Sequence, residues 1–350
     1  MKKFLASAAI FAATGSCLIA QEHPAINLSY MDTTVRAQDD FYNYVNGNWM
    51  KTVEIPSDKA RWGSFDELRE HTDDAVLKIL KESLNSTHEK GSDGQKIADL
   101  YKSFIDFDQR DNLGTSPIKS YLEKIDGIKN IDDLYNYLLE VGPIGGNPFF
   151  GAYVYAHMKN SDVNAVYLGG GSLGLGRSYY QKVDEKNTET LGQYASFISS
   201  LYSKVDQRTR DLKGPKIVAF EKELASYLKT IEESRDAQKR YNPVAVKDLG
   251  TLVKNIDVAK YIKALGFTAD TVIIGELKYY QNLDKIINTN NLPQIKEFLK
   301  FNVMNDATGY LTKELDELSF DFYGRTLRGQ KEQRSLDKRG LEFVNGSAGE

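Results

Sequence analysis

Residues Asp39–Glu70 read DDFYNYVNGNWMKTVEIPSDKARWGSFDELRE. Aromatic side chains crowd its first half at Phe41, Tyr42, Tyr44 and Trp49, and Trp62 follows between Arg61 and Gly63. On residue chemistry alone these rings are packing groups, since large aromatics at helical spacing are most often core. They could line a ligand groove, but on the residues alone the segment reads as packing.

Downstream of this stretch the chain reads as amphipathic helix. Ile97, Leu100, Tyr101, Phe104 and Ile105 fall at i, i+3, i+4, i+7 and i+8, one apolar stripe on a helix. Leu191, Tyr194, Phe197, Ile198, Leu201, Tyr202 and Val205 repeat the pattern, as do Ile217, Phe220, Leu224, Tyr227 and Leu228 behind Gly214-Pro215. Leu292, Ile295, Phe298 and Leu299 form a shorter stripe, with Pro293 where a first helical turn tolerates it. Such stripes must bury one another, which predicts a mainly α multi-helix lobe. Phe149–His157 and Ala165–Leu168 are aromatic and β-branched around the turn-like Lys159-Asn160-Ser161-Asp162, which predicts a small β-hairpin; Thr271–Ile274 reads as another short strand. No repeat or low-complexity linker marks an internal boundary.

The 350 residues are 41% hydrophobic and 27% charged, enough for a substantial core, and the net charge of −4 gives no electrostatic footprint for nucleic acid. At the N-terminus, Lys2 and Lys3 precede an uncharged stretch from Phe4 to Ala20. A basic head and a short apolar run rich in small residues have the form of a secretory signal peptide over residues 1–20, and the stretch is shorter than a membrane-spanning helix needs. Ala13-Thr14-Gly15-Ser16-Cys17 also resembles a bacterial lipobox, so Cys17 is a lipidation candidate beside cleavage after Ala20. Either route exports the protein to the periplasm or beyond the cell, in the first case lipid-anchored to a membrane. Residues 21–36 are expected to be extended. With one cysteine in the chain, its stability rests on its core.

Gly169-Gly170-Gly171-Ser172-Leu173-Gly174 fits the G-x-G-x-x-G pattern of dinucleotide sites, but no βαβ alternation surrounds it and it reads as a glycine-rich surface loop. The acidic pairs Asp39-Asp40, Asp73-Asp74 and Glu232-Glu233 suit caps and solvated faces better than acid/base catalysis. The four histidines, His23, His71, His88 and His157, never stand four residues apart, and no cysteine or carboxylate cluster accompanies them. No catalytic residue and no metal ligand is assigned within the chain.

The ordered landmarks from about Tyr30 onward resemble the neprilysin-like zinc metallopeptidases of bacterial type. Phe41-Tyr42-x-Tyr44, Gly47-x-Trp49 and Ile55-Pro56 are similar to that family's opening pattern, with Gln38 and Asn46 where its extracellular animal members carry cysteines. Leu173-Gly174-Leu175-Gly176-Arg177-Ser178-Tyr179-Tyr180 resembles a family loop that prefers Pro at position 176 and Asp at 178. Arg235-Asp236, Tyr241-Asn242-Pro243, Phe322-Tyr323-Gly324 and Phe343-Val344-Asn345-Gly346 continue the series.

The resemblance implies that residues 37–350 are the N-terminal domain of a two-lobed metallopeptidase whose chamber admits short peptides and excludes folded proteins. It also implies that the zinc helix, with its His-Glu-x-x-His motif, lies beyond Glu350, so that zinc belongs to the complete enzyme and this chain alone binds none and is inactive. The expected partners are peptide substrates and a C-terminal peptidase half, should that be separately encoded. Arg61 and Asp66 match family positions on the leaving side of the substrate site, where a guanidinium pairs bidentately with a peptide carboxylate. The alternative reading is a non-catalytic exported helical protein that binds peptides or acts as a scaffold.

Overall fold

A computed structural model describes residues 26–206 and 213–349. The expected signal segment, Cys17 and His23 lie outside the described residues. The chain divides into two compact units at Ile55/Pro56.

In the first unit, residues 26–36 are not extended. Asn27 caps a 3-10 turn over Leu28–Tyr30 by accepting from the Ser29 amide, and the chain then folds back so that the Asp32 amide donates to the Tyr44 carbonyl. Asp40 caps the helix Phe41–Thr52. Asp32 is 6% exposed and packs directly over Gly47, where an added Cβ would stand 2.7 Å from the Asp32 Cβ. Lys51, and then Thr34, hydrogen-bond the Asp32 carboxylate and hold its pKa down to about 2. Trp49 meets Tyr30 with ring centroids 6.3 Å apart. Gly47-x-Trp49 is thus a packing pair: the glycine admits the returning loop and the indole closes over it.

The second unit has two cores. The larger one joins the helices Glu185–Val205, Lys213–Tyr227 and Leu292–Ala307, whose stripes are buried where the periodicity placed them: Tyr194, Phe197, Ile198 and Leu201; Ile217, Phe220 and Leu224; Ile295, Phe298 and Leu299. Phe322, in a π-helical turn over Phe320–Thr326, stacks on Phe197 and Tyr194 at 5.1 and 5.4 Å. The smaller core, Leu80, Tyr101, Leu341 and Val344, joins the helices Ser64–Leu84, Asp93–Ile105 and Leu336–Ala348.

A four-stranded sheet flanks the larger core. β1 (Ala152–His157) and β2 (Asn160–Leu168) form the expected hairpin, with Tyr155 opposite Ala165. β3 (Pro243–Ala245) and β4 (Thr271–Ile274) complete the order β1-β2-β4-β3, β4 running parallel to β2 and antiparallel to β3. Val272, Ile273 and Ile274 are at most 2% exposed, as an unbroken apolar run in a central strand requires. β3 was not legible as a strand: it is three residues long and begins with Pro243, which an edge position accommodates because no ladder amide is needed there. The landmark Asn242 secures it, its side-chain amide donating to the Ile274 carbonyl at 2.9 Å.

The glycine-rich loop is half-buried, not a surface loop. A Cβ on Gly171 would lie 2.6 Å from the Tyr279 hydroxyl, and one on Gly174 would lie 1.6 Å from that of Tyr194. The glycines leave room for two tyrosine hydroxyls, which donate to the Phe149 carbonyl and to the Glu221 carboxylate.

Candidate functional site

Arg61 and Asp66 sit on an arch that leads into the helix Ser64–Leu84. The Lys59 amide donates to the Pro56 carbonyl, turning the chain, and Gly63 then enters the helix in extended conformation without a side-chain cap. Asp66 and Glu67 occupy the first turn, where carboxylates suit the positive end of the helix dipole. Arg61 Nε lies 3.9 Å from Asp66 Oδ1. The arginine side chain is 88% exposed and that of Asp66 30%, so the pair is a loose one in water. The guanidinium thus stands near Asp66 without a hydrogen bond to it and is open to solvent. Beside it, Phe65 is 88% exposed.

One turn further along the helix the electrostatics tighten. Lys59 reaches Glu70 at 3.0 Å; Arg334 donates to Glu70 at 3.0 Å and to Asp73 at 2.8 Å, and it also pairs with Glu342. Lys338 bonds Glu70 and lies 2.7 Å from Asp74. Partial burial works to raise the Glu70 pKa, but the hydrogen bonds from Lys338 and Lys59 prevail and hold it down to about 2. Sequence reasoning passed over this cluster. Its one signal was Lys59 and Glu70 flanking the Arg61–Asp66 pair, with Glu70 four residues after Asp66 on the same helix face.

The other polar candidates are structural. Asp40 is a cap; Asp73 and Asp74 pair with Arg334 and Lys338; Glu233 completes a capping box with Thr230. His157 Nε2 is 3.2 Å from the Tyr241 hydroxyl, and His88 Nε2 is 2.7 Å from the Ser83 carbonyl. Among the described residues no group of three or more His, Cys, Asp or Glu is arranged to hold a metal ion, so these residues do not fit a zinc centre.

A second polar group unseen in the sequence is Glu221. It is fully buried and accepts from the Gly174 amide at 2.9 Å, the Tyr180 hydroxyl at 2.8 Å and the Tyr194 hydroxyl at 3.3 Å. Burial pushes its pKa up to about 7 against those hydrogen bonds. It anchors the loop that carries Gly171 and Gly174, and it faces no solvent.

Comparison with known proteins places the chain in a family. Residues 37–350 match the N-terminal model of peptidase family M13. The chain is 24% identical over 322 residues to a putative zinc metalloproteinase of Streptococcus gordonii, covering 89% of this chain and 56% of that protein. It is 27% identical over 312 residues to a neutral endopeptidase of Lactococcus lactis subsp. cremoris, covering 88% and 50%. The Mycobacterium tuberculosis zinc metalloprotease Zmp1, solved in complex with an inhibitor, superposes with a TM-score of 0.82 at 28% identity, over 93% of this chain and 50% of that one. The chain thus spans about half the length of these relatives. The family match over residues 37–350, the superposition on a zinc metalloprotease and the ordered landmarks agree: this chain belongs to peptidase family M13.

Proposed function

We propose that this chain is the chamber-forming, substrate-binding N-terminal part of an exported zinc metalloendopeptidase that hydrolyses short peptides. Support comes from the relatives, a neutral endopeptidase and a zinc metalloprotease among them, which imply zinc in the complete enzyme. This chain's own contribution is the Arg61–Asp66 arch. The observation that carries the reading is a guanidinium 88% exposed with one loose carboxylate partner at 3.9 Å, an arrangement that leaves both arms of the fork for the terminal carboxylate of a peptide. Asp66 orients the fork. Export rests on the basic and apolar character of residues 2–20. Intact mass of protein from the native host is expected to begin at Gln21 or at an acylated Cys17; a cytoplasmic product retaining Lys2 would overturn it.

Two measurements test the central reading. The coding DNA past Glu350 is expected to encode an in-frame or adjacent His-Glu-x-x-His segment. In the enzyme carrying both halves, Arg61→Ala should weaken cleavage of peptides with a free C-terminal carboxylate by about 1.5–3 kcal/mol, the worth of a charge-assisted hydrogen bond, and spare their amides. Equal losses on both substrates would overturn the carboxylate role and assign Arg61 a structural one.

A further inference from the structure

The arch bearing Arg61 is bracketed on both sides by one distant piece of chain. Upstream, the Lys331 and Glu332 amides both donate to the Ser57 carbonyl at 3.0 Å, the Ser57 hydroxyl donates to Glu332 at 2.8 Å, and the Gln330 side chain donates to the Asp58 carbonyl at 2.8 Å. Downstream, Arg334 and Lys338 grip Glu70, Asp73 and Asp74 on the helix Ser64–Leu84. Lys59 closes the bracket from within by its 3.0 Å pair with Glu70. Gly329, at φ +74°, turns the chain into this segment, a conformation that favours glycine.

The bracket is itself fixed to the larger core. Gln333 donates to Asp316 at 3.2 Å, and Arg339 meets the same carboxylate through both terminal nitrogens. Asp316 is 4% exposed on the helix Lys313–Ser319, next to Leu315 of that core. A continuous line of ion pairs and hydrogen bonds thus runs from the core through residues 330–339 to the two ends of the arch. Arg61, by contrast, is held among the described residues by a loose pair with Asp66. Tying two helices together would need the pairs to Glu70, Asp73 and Asp74 but not the four hydrogen bonds to Ser57 and Asp58, which act on the arch itself.

We propose that Gln330–Lys338, through its hydrogen bonds to Ser57 and Asp58 backed by the ion pairs of Arg334, is the positioning element of the Arg61 arch and sets how tightly the site takes the terminal carboxylate of a short peptide. The substrate half of this statement rests on the reading of Arg61 given above; the positioning half does not. Arg334 touches no substrate. It acts by holding the arch in its binding geometry before the peptide arrives, so that less order is lost on binding.

Trp62, half-buried beside Arg61, is the reporter. The chain has two tryptophans, so Trp49→Phe leaves Trp62 alone. In that full-length background, Arg334→Gln is expected to raise acrylamide quenching of Trp62 about twofold, as local order is lost. Gln330→Ala, which removes one hydrogen bond, should do the same more weakly and covers the case in which the charge variant fails to fold. In the enzyme with both halves, Arg334→Gln should raise KM for a free-carboxylate peptide about 5–10-fold with kcat unchanged, and should add nothing in an Arg61→Ala background, as coupled residues do. Unchanged Trp62 quenching in both variants, with only the melting temperature lowered, would reduce the segment to a helix tie and overturn the proposal. Raised quenching together with an Arg61→Ala enzyme that treats acids and amides alike would keep the positioning role and remove the carboxylate reading alone.

Discussion

Glu221 shows how far one buried carboxyl can shape the behaviour of a fold. Its pKa is raised from 4.5 to about 7 by burial, so its protonated form is the one the folded state favours. The stability it contributes is therefore fully present below pH 4.5 and is lost as pH rises through about 7. Glu70 has the opposite sign: its pKa is depressed to about 2, so its contribution is present above pH 4.5 and is lost as pH falls toward 2. Glu221→Gln is expected to flatten the pH dependence of the denaturation midpoint between pH 4.5 and 7 while leaving the acid limb in place. Glu221→Ala should cost about 2–4 kcal/mol below pH 4.5, because it strands the Gly174 amide and two tyrosine hydroxyls in the core, and less as pH rises through about 7. Urea titrations at a series of pH values check both; a slope that survives in the glutamine variant would assign the pH effect to another group.

At the scale of elements, the loop from Gly169 to Gly176 separates two kinds of glycine. Gly174 is required by close approach, and its replacement by alanine would drive a Cβ into Tyr194. Gly176 is not: its φ of −58° is one that proline adopts, it stands just ahead of the helix Arg177–Gln181, and a Cβ there meets nothing nearer than 3.8 Å. Gly176→Pro is expected to stabilise the protein by about 0.4–1 kcal/mol by narrowing the unfolded ensemble, a gain that calorimetry or chemical denaturation would register. A lower melting temperature would show that Leu175 cannot take the extended backbone that precedes proline. Apolar periods made elements legible, as in Leu191–Val205, although the helix Ile131–Val141, with Leu134, Leu138 and Val141 buried, was passed over. Elements were not legible where the local pattern was short: β3 is held by the Asn242 side chain and by pairing with β4, neither of which leaves a periodic trace.

Across the whole molecule, the helix Ser64–Leu84 presents Phe65, Leu68 and Ile79 to solvent at 88%, 60% and 65% exposure, an apolar line that its own unit does not cover. Exposed apolar lines of this kind mark surfaces that associate. The purified chain is expected to bind a hydrophobic dye, and Leu68→Ser with Ile79→Ser should lower that binding without lowering the melting temperature. Dye binding that the double variant leaves unchanged would place the sticky surface elsewhere. Metal analysis after dialysis should find zinc at well below one per chain, since no donor set among the described residues fits it; one tightly held zinc would overturn this.

Composition, helical periodicity and ordered landmarks by themselves determined the class of the fold, the main apolar stripes, the hairpin and the family, because each leaves a local or collinear mark in the chain. They also singled out Arg61 and Asp66, five residues apart, whose pairing depends on little more than one turn of helix. Tertiary structure alone decided what those residues rest on. Ser57 meets Glu332, Glu70 meets Arg334 and Gly174 meets Glu221 across separations of 275, 264 and 47 residues. Contacts at such separations carry no spacing rule, so only the packed chain reveals the bracket around the arch and the buried acid beneath the glycine-rich loop.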